Sequence, residues 1–354
     1  MRALILGGGP AGAAAAITLA RAGAPHLLVE RTRETGDALC GGFLSWRTLE
    51  TLGRLGVAPQ ALSRRAITRV RLFAGGRSAE APLPRPAMAV SRRTLDAALL
   101  DVAERAGAAI ERGATARTLH PHGAEIDGAE VPGTLFLATG KHDLRGAGRP
   151  LGADPSLGLR IRLAPSPTLD RLVGEAVELH LFDRGYAGVA VQEDGSANIC
   201  LALRRSRLRE AGSPLALLRA IGSGPLGERL ATLNDTTPID AVANVPYGWR
   251  AREGAGCYRL GDQGAVIASL AGEGMGIALA SGTDAACAYL RDIDAETWQR
   301  RFARRARRPV VLADAIRHLV ERPSAAPAAV RLAATLPGLT QVIARATRIA
   351  PQAS

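Results

Sequence analysis

The start of the chain leaves little freedom of fold. An apolar run, Ala3-Leu4-Ile5-Leu6, leads straight into Gly7-Gly8-Gly9-Pro10-Ala11-Gly12. An alanine-rich stretch continues to Ala22, and a second apolar run, His26 to Val29, ends on Glu30. Strand, glycine turn, helix, strand and acid in this order make a βαβ unit suited to a dinucleotide. Gly7 permits the tight turn, Gly9 lets the backbone approach a pyrophosphate, and Gly12 lets the helix lie close to the strand. The first helical amides then face the diphosphate, and Glu30 reaches a ribose hydroxyl. The turn alone does not separate FAD from NAD.

Charge and cysteine usage remove other classes. A net charge of +12 invites nucleic acid or an acidic membrane. Yet the basic residues are almost all arginine, with Lys141 the single lysine, and they are scattered apart from Arg300 to Arg308. Aromatics, 3% of the chain, are too few to stack bases. We expect no nucleic-acid partner, and a solvated helix face for that cluster. Cys40, Cys200, Cys257 and Cys287 form no CxxC pair, and no histidine stands at metal-ligand spacing. The chain is therefore expected to hold no metal and no disulfide framework and to suit the reducing cytoplasm. It opens directly into a strand, so no signal peptide is expected. Its longest apolar stretch, Val266 to Ala280, is broken by glycines, Ser269 and Glu273, so no transmembrane segment is expected. Oligomeric state is not legible.

Periodicity predicts helices over 46–55, 92–106 and 275–290, and strands over 69–73, 87–90, 108–111 and 134–138. From Gly158 the runs 159–163, 176–182, 188–192 and 197–203 are strand-like with no helix between them, which predicts an antiparallel sheet able to roof a cleft. A helical linker at 214–221 precedes a return to strand at 257–260 and a second glycine-rich turn. Beyond Ala295 the chain reads as arginine- and alanine-rich helix interrupted at Pro323, Pro327 and Pro337. We divide it into a nucleotide-binding domain in three parts (1–70, 91–155, 251–292), a substrate sheet (71–90, 156–250) and a helical segment (293–354). Two widely separated glycine turns suit a long FAD stretched between them. An NAD-dependent dehydrogenase leaves the second turn unexplained.

Several motifs then occur in order: Gly7-x-Gly9-x-x-Gly12 with Glu30, Arg92-x-x-Leu95-Asp96, Ala138-Thr139-Gly140, and Gly261-Asp262 with Gly272-Glu273-Gly274-Met275-Gly276. Over about residues 1–290 this set resembles the FAD-dependent oxidoreductases of the para-hydroxybenzoate hydroxylase fold. Cys40-Gly41-Gly42-Phe43-Leu44-Ser45 resembles their geranylgeranyl reductase-like branch. The resemblance implies an α/β chain: a Rossmann-like FAD-binding domain (GR2-type, three-layer ββα), an inserted antiparallel β-sheet substrate domain and C-terminal helices. It implies FAD contacts from Gly7, Gly9, Pro10, Ala11, Gly12, Glu30, Arg31, Gly41, Gly42, Arg92, Thr139, Gly140, Gly261, Asp262, Gly272, Gly274, Met275 and Gly276. Asp262 is expected on the ribityl chain, and Arg92 is either a diphosphate or ribityl contact or an ordinary surface arginine.

On the substrate side the resemblance places Phe43, Phe182, Tyr186, Tyr247 and Trp249. Cys40 is either a proton donor or a lining residue. The expected substrate is a small-to-medium apolar molecule (isoprenoid, polyketide or aromatic), reduced at a C=C bond, with NAD(P)H as the transient electron donor. The alternative is an aromatic monooxygenase. Leu137-Ala138-Thr139-Gly140 departs from the Gly-Ala-Asp-Gly of aromatic hydroxylases, which favours reduction. After Tyr186, Gly188 and Ala190 stand where archaeal reductases have Trp and Phe, which argues against a long isoprenoid.

Overall fold

A computed structural model describes residues 2–350. Its first layer is a parallel sheet in the order Cys257–Arg259, Thr134–Leu137, Ala3–Leu6, His26–Glu30, Ile110–Arg112. Ala3–Leu6 is buried at every position because helices cover one face of this sheet and a second small sheet covers the other. The helix Pro10–Arg21 packs on the helix Gly274–Tyr289 through small residues. A Cβ added at Gly282 would meet the Ala11 carbonyl at 2.0 Å, so the two glycine-led helices lie side by side. On the opposite face Leu4, Leu6, Val29, Leu135 and Leu137 meet Ala124 and Ile126 of an antiparallel meander, Ala116–His120, Gly123–Ile126 and Ala129–Pro132. Helices, parallel sheet and meander are the three layers expected. The meander strands themselves are too short and polar to be read from periodicity.

The large sheet has eight strands: Ile239–Val245, Ser156–Leu163, Ala197–Arg204, Gly185–Val191, Ala176–Phe182, Ile67–Ala74, Arg77–Ala89 and Phe43–Leu44. Neighbours are antiparallel except Ala176–Phe182 and Ile67–Ala74, which run parallel because they come from separate passes of the chain. Alternation sorts the faces. Leu159, Ile161, Ala187, Val189, Ile199 and Leu201 form a core with Leu169, Leu217, Leu218 and Leu226 of the covering helices. Tyr186, Asn198, Cys200 and Arg160 stand on the other face, toward the nucleotide domain.

The helix Ala295–Val320 runs unbroken through Pro309. Its arginines 300, 301, 304, 307 and 308 are exposed, while Phe302, Ala303 and Ala306 are buried. Pro327 does not interrupt its helix. It lies in the first turn of Ala325–Thr335, where a missing N–H costs nothing. That helix packs through Ala326, Val330 and Ala333 on Ala74 and Ala79, capping one end of the cleft-side face. No helix among the described residues is long and apolar enough to cross a membrane.

Candidate functional site

At the nucleotide end, Gly7 (φ +111°) and Gly12 have no room for a side chain: an added Cβ would sit 2.5 Å from the Ala138 carbonyl and 1.9 Å from the Gly7 carbonyl, respectively. Gly9 differs. Its added Cβ would approach nothing but Arg92 Nη2, at 3.1 Å. Gly9 opens the helix Pro10–Arg21 with no side-chain cap, so the Ala11 and Gly12 amides are left for an anion. The Arg92 guanidinium lies over this turn, held by Asp96 through bonds of 2.8 and 2.6 Å. Burial works against its charge, but Asp96 more than offsets that and raises the guanidinium pKa. Glu30 ends its strand accepting from the Gly8 amide at 2.7 Å and from Thr32 at 2.8 and 3.0 Å, with lone pairs to spare. Arg31 reaches His142 Nε2 at 3.0 Å.

At the other end Gly261 (φ +54°) makes the turn that presents Asp262. The Asp262 carboxylate faces Lys141 Nζ at 3.4 Å, and its carbonyl accepts from Arg149 Nη1 at 2.9 Å. Arg149 also binds Asp143 and the Lys141 carbonyl, so it ties this turn to the Thr139-Gly140 turn. Buried Gln263 adds a bond to the Gly140 carbonyl at 2.9 Å. Gly272 (φ +62°) packs on Phe43, whose Cδ1 would lie 2.6 Å from an added Cβ. The helix Gly274–Tyr289 likewise starts without a side-chain cap. Met275 is buried in the core, so only its backbone borders the cleft.

Glu273, fully buried, points away from the cleft. It accepts from Ser45 Oγ (3.1 Å), Arg348 Nη1 (2.7 Å) and the Ile349 amide (3.1 Å). Arg348 also donates to the Gly272 carbonyl at 3.1 Å and to that of Ala271. Burial opposes ionisation of both partners, raising the Glu273 carboxyl and lowering the Arg348 guanidinium; their mutual attraction resists both shifts.

The loop carrying Cys40 lies across the inner face of the large sheet. Asp37 anchors it, accepting from Arg160 at 3.0 Å and Arg162 at 2.9 Å. The Cys40 carbonyl accepts from Asn198 Nδ2 (3.0 Å) and Cys200 Sγ (3.1 Å). The Cys40 sulfur accepts from the Gly42 amide at 3.5 Å. Burial pushes the Cys200 thiol up to about 12, so it stays protonated. Tyr186 and Tyr247 both reach Ser269, at 2.6 and 3.1 Å, and Trp249 follows in the same turn as Tyr247. Phe182 does not join them. It pairs with Gly185 and packs into the core on the far face, because strand alternation sets it opposite to Tyr186.

The cleft fits a long dinucleotide. Two uncapped helix N-termini point into it, a carboxylate stands near each, and Cβ atoms added at Gly41, Gly140 and Gly274 would enter open space. Sequence reading missed Lys141, Arg149, Gln263, Asn198, Cys200, Ser269 and Arg348, whose roles arise from long-range contacts. Their one legible signal was the lone lysine.

Residues 1–134 match the sequence family described as an FAD binding domain. A menaquinone reductase of Mycolicibacterium smegmatis is 28% identical over 312 residues, 80% of this chain and 75% of its own length. A geranylgeranyl bacteriochlorophyll reductase-like protein of Thermoplasma acidophilum superposes with a TM-score of 0.71 at 18% identity, covering 99% of this chain and 93% of its own. A probable FAD-dependent monooxygenase of Pseudomonas aeruginosa gives 0.68 at 18%, covering 94% and 99%. With two glycine turns, an acid at each end and an inserted sheet in one cleft, the chain carries an FAD binding domain over residues 1–134 and shares its whole fold with the geranylgeranyl reductase-like protein and the probable FAD-dependent monooxygenase.

Proposed function

We propose that the protein reduces a C=C bond of a small-to-medium apolar substrate, drawing electrons from NAD(P)H as a transient donor. One observation carries the reading. The arginines that the sheet turns toward the cleft, Arg160 and Arg162, are held by Asp37, Asp240 and Asp194. Asn198 and Lys141 are bonded to carbonyls of the Cys40 loop, and beside them stand thiol, hydroxyl and small apolar surface (Cys40, Cys200, Tyr186, Ala190), which suits an apolar ligand with one oxygen handle. The reductase name of the Mycolicibacterium relative supports the same reading.

Bound FAD supplies two-electron transfer, and the chain holds and shields it. Gly9, Pro10, Ala11 and Gly12 bind the diphosphate with Arg92 above them, and Glu30 takes the ribose with Arg31 beside it. Asp262 accepts the ribityl hydroxyls, with Thr139 and Gly140 behind it. Gly41, Gly42, Gly261, Gly272, Gly274, Met275 and Gly276 border the ring by backbone, and helix-terminal amides there stabilise negative charge. Asp262→Ala should retain the fold and lose FAD on gel filtration that leaves the parent protein yellow; full retention would remove Asp262 from the cofactor set. Phe43, Tyr186, Tyr247 and Trp249 line the substrate space, as does Cys40. Cys40→Ala should keep its FAD and change turnover by less than about tenfold. A fall of about a hundredfold or more, the range of a general acid, would make Cys40 the proton donor.

The reading itself is tested by reducing the holoprotein anaerobically and adding short apolar alkenes, both isoprenoid and carbonyl-conjugated. The oxidised flavin spectrum should return, with saturated product by mass spectrometry. Hydroxylation of a phenol with oxygen, and no anaerobic alkene reduction, would replace the reductase by a monooxygenase.

A further inference from the structure

Ser269 begins the short turn Ser269–Ala271 immediately before Gly272, and it is exposed. Two tyrosine hydroxyls from distant elements converge on its oxygen, Tyr186 at 2.6 Å and Tyr247 at 3.1 Å. A count of hydrogens fixes which way each bond runs. The Tyr186 oxygen already accepts from the Leu270 amide at 3.0 Å, and Tyr186 is 2% exposed. Among the described residues, its own hydrogen has no acceptor but Ser269 Oγ. Tyr247 also donates to Ser269 Oγ. Burial keeps both phenols protonated, raising Tyr186 well above its usual value and Tyr247 to about 12. Both lone pairs of Ser269 Oγ are therefore filled, and no described residue accepts its own hydrogen, which is left for a ligand. A hydroxyl that receives two hydrogen bonds is a stronger donor in turn.

We propose that Ser269 is a substrate-contacting residue that donates its hydrogen bond to a carbonyl oxygen, and that the substrate is a conjugated carbonyl compound of the quinone or enone class. The proposal rests on the reductase reading. An isolated alkene is a poor hydride acceptor, and a hydrogen bond to a conjugated carbonyl withdraws electron density from the C=C bond to be reduced. Tyr186 and Tyr247 are positioning residues: they leave Ser269 no partner for its hydrogen among the described residues.

The test is calorimetric binding to oxidised holoprotein with two probes, dimethylnaphthoquinone, with both reactive ring carbons blocked against thiols, and dimethylnaphthalene, which lacks the carbonyls. Ser269→Ala should weaken quinone binding about tenfold, the scale of one hydrogen bond. It should leave hydrocarbon binding and flavin content unchanged, and Ser269→Thr should restore quinone affinity. Equal affinity of Ser269→Ala and parent for the quinone, or an equal loss for both probes, would overturn the role of Ser269. A parent protein that binds the quinone no better than the hydrocarbon would overturn the carbonyl class. Alkene reduction is judged separately, by its own saturated product.

Discussion

Gly9→Leu protein should purify folded and colourless. An added side chain at Gly9 meets just the far end of the Arg92 guanidinium, at 3.1 Å, and that group can swing aside. The isobutyl group then fills the space over the Ala11 and Gly12 amides, where the diphosphate must approach within hydrogen-bond distance. Flavin absorbance should fall to background while circular dichroism stays that of the parent. Gly12→Leu provides the contrast. Its Cβ would lie 1.9 Å from the Gly7 carbonyl, backbone against backbone, so that variant should fail to fold at all. A yellow Gly9→Leu protein would place the diphosphate elsewhere.

Arg348→Ala should be strongly destabilising. It strips Glu273 of its partner at a site with no exposure, and breaking a buried pair from one side costs about 3–5 kcal/mol. It also frees the carbonyls of Ala271 and Gly272, which fix the approach to the helix at the flavin end. Urea unfolding should show that loss, and FAD should dissociate at lower denaturant than the fold melts. Glu273→Gln in the same background removes the stranded charge and should recover part of the stability. An Arg348→Ala protein within about 1 kcal/mol of the parent would show that the pair contributes nothing beyond packing.

Much of the fold was legible because its signals are local. The helices Trp46–Leu55 and Pro214–Ile221 and the strand Ala176–Phe182 were bounded correctly from the local residue pattern alone. The meander and the strand Ile239–Val245 were not, since short half-exposed strands take their stability from partners distant in sequence. Phe182 shows a different limit. The family resemblance placed it with Tyr186, but the hairpin register puts the two on opposite faces, and register follows from which residues pair. The partners of Cys40 lie 158 and 160 residues away, a juxtaposition that motif spacing does not encode.

The Glu273–Arg348 contact also has a meaning in time. The glycine turn emerges early in synthesis, yet the carboxylate at the flavin end waits 75 residues for its counter-ion. At about 5–20 residues per second, that delay is on the order of ten seconds. Throughout it, the dinucleotide motif is complete and the far end of its cleft is not. The turn at the flavin end is thus completed only after the nucleotide domain has been made, by contacts from the segment around Arg348.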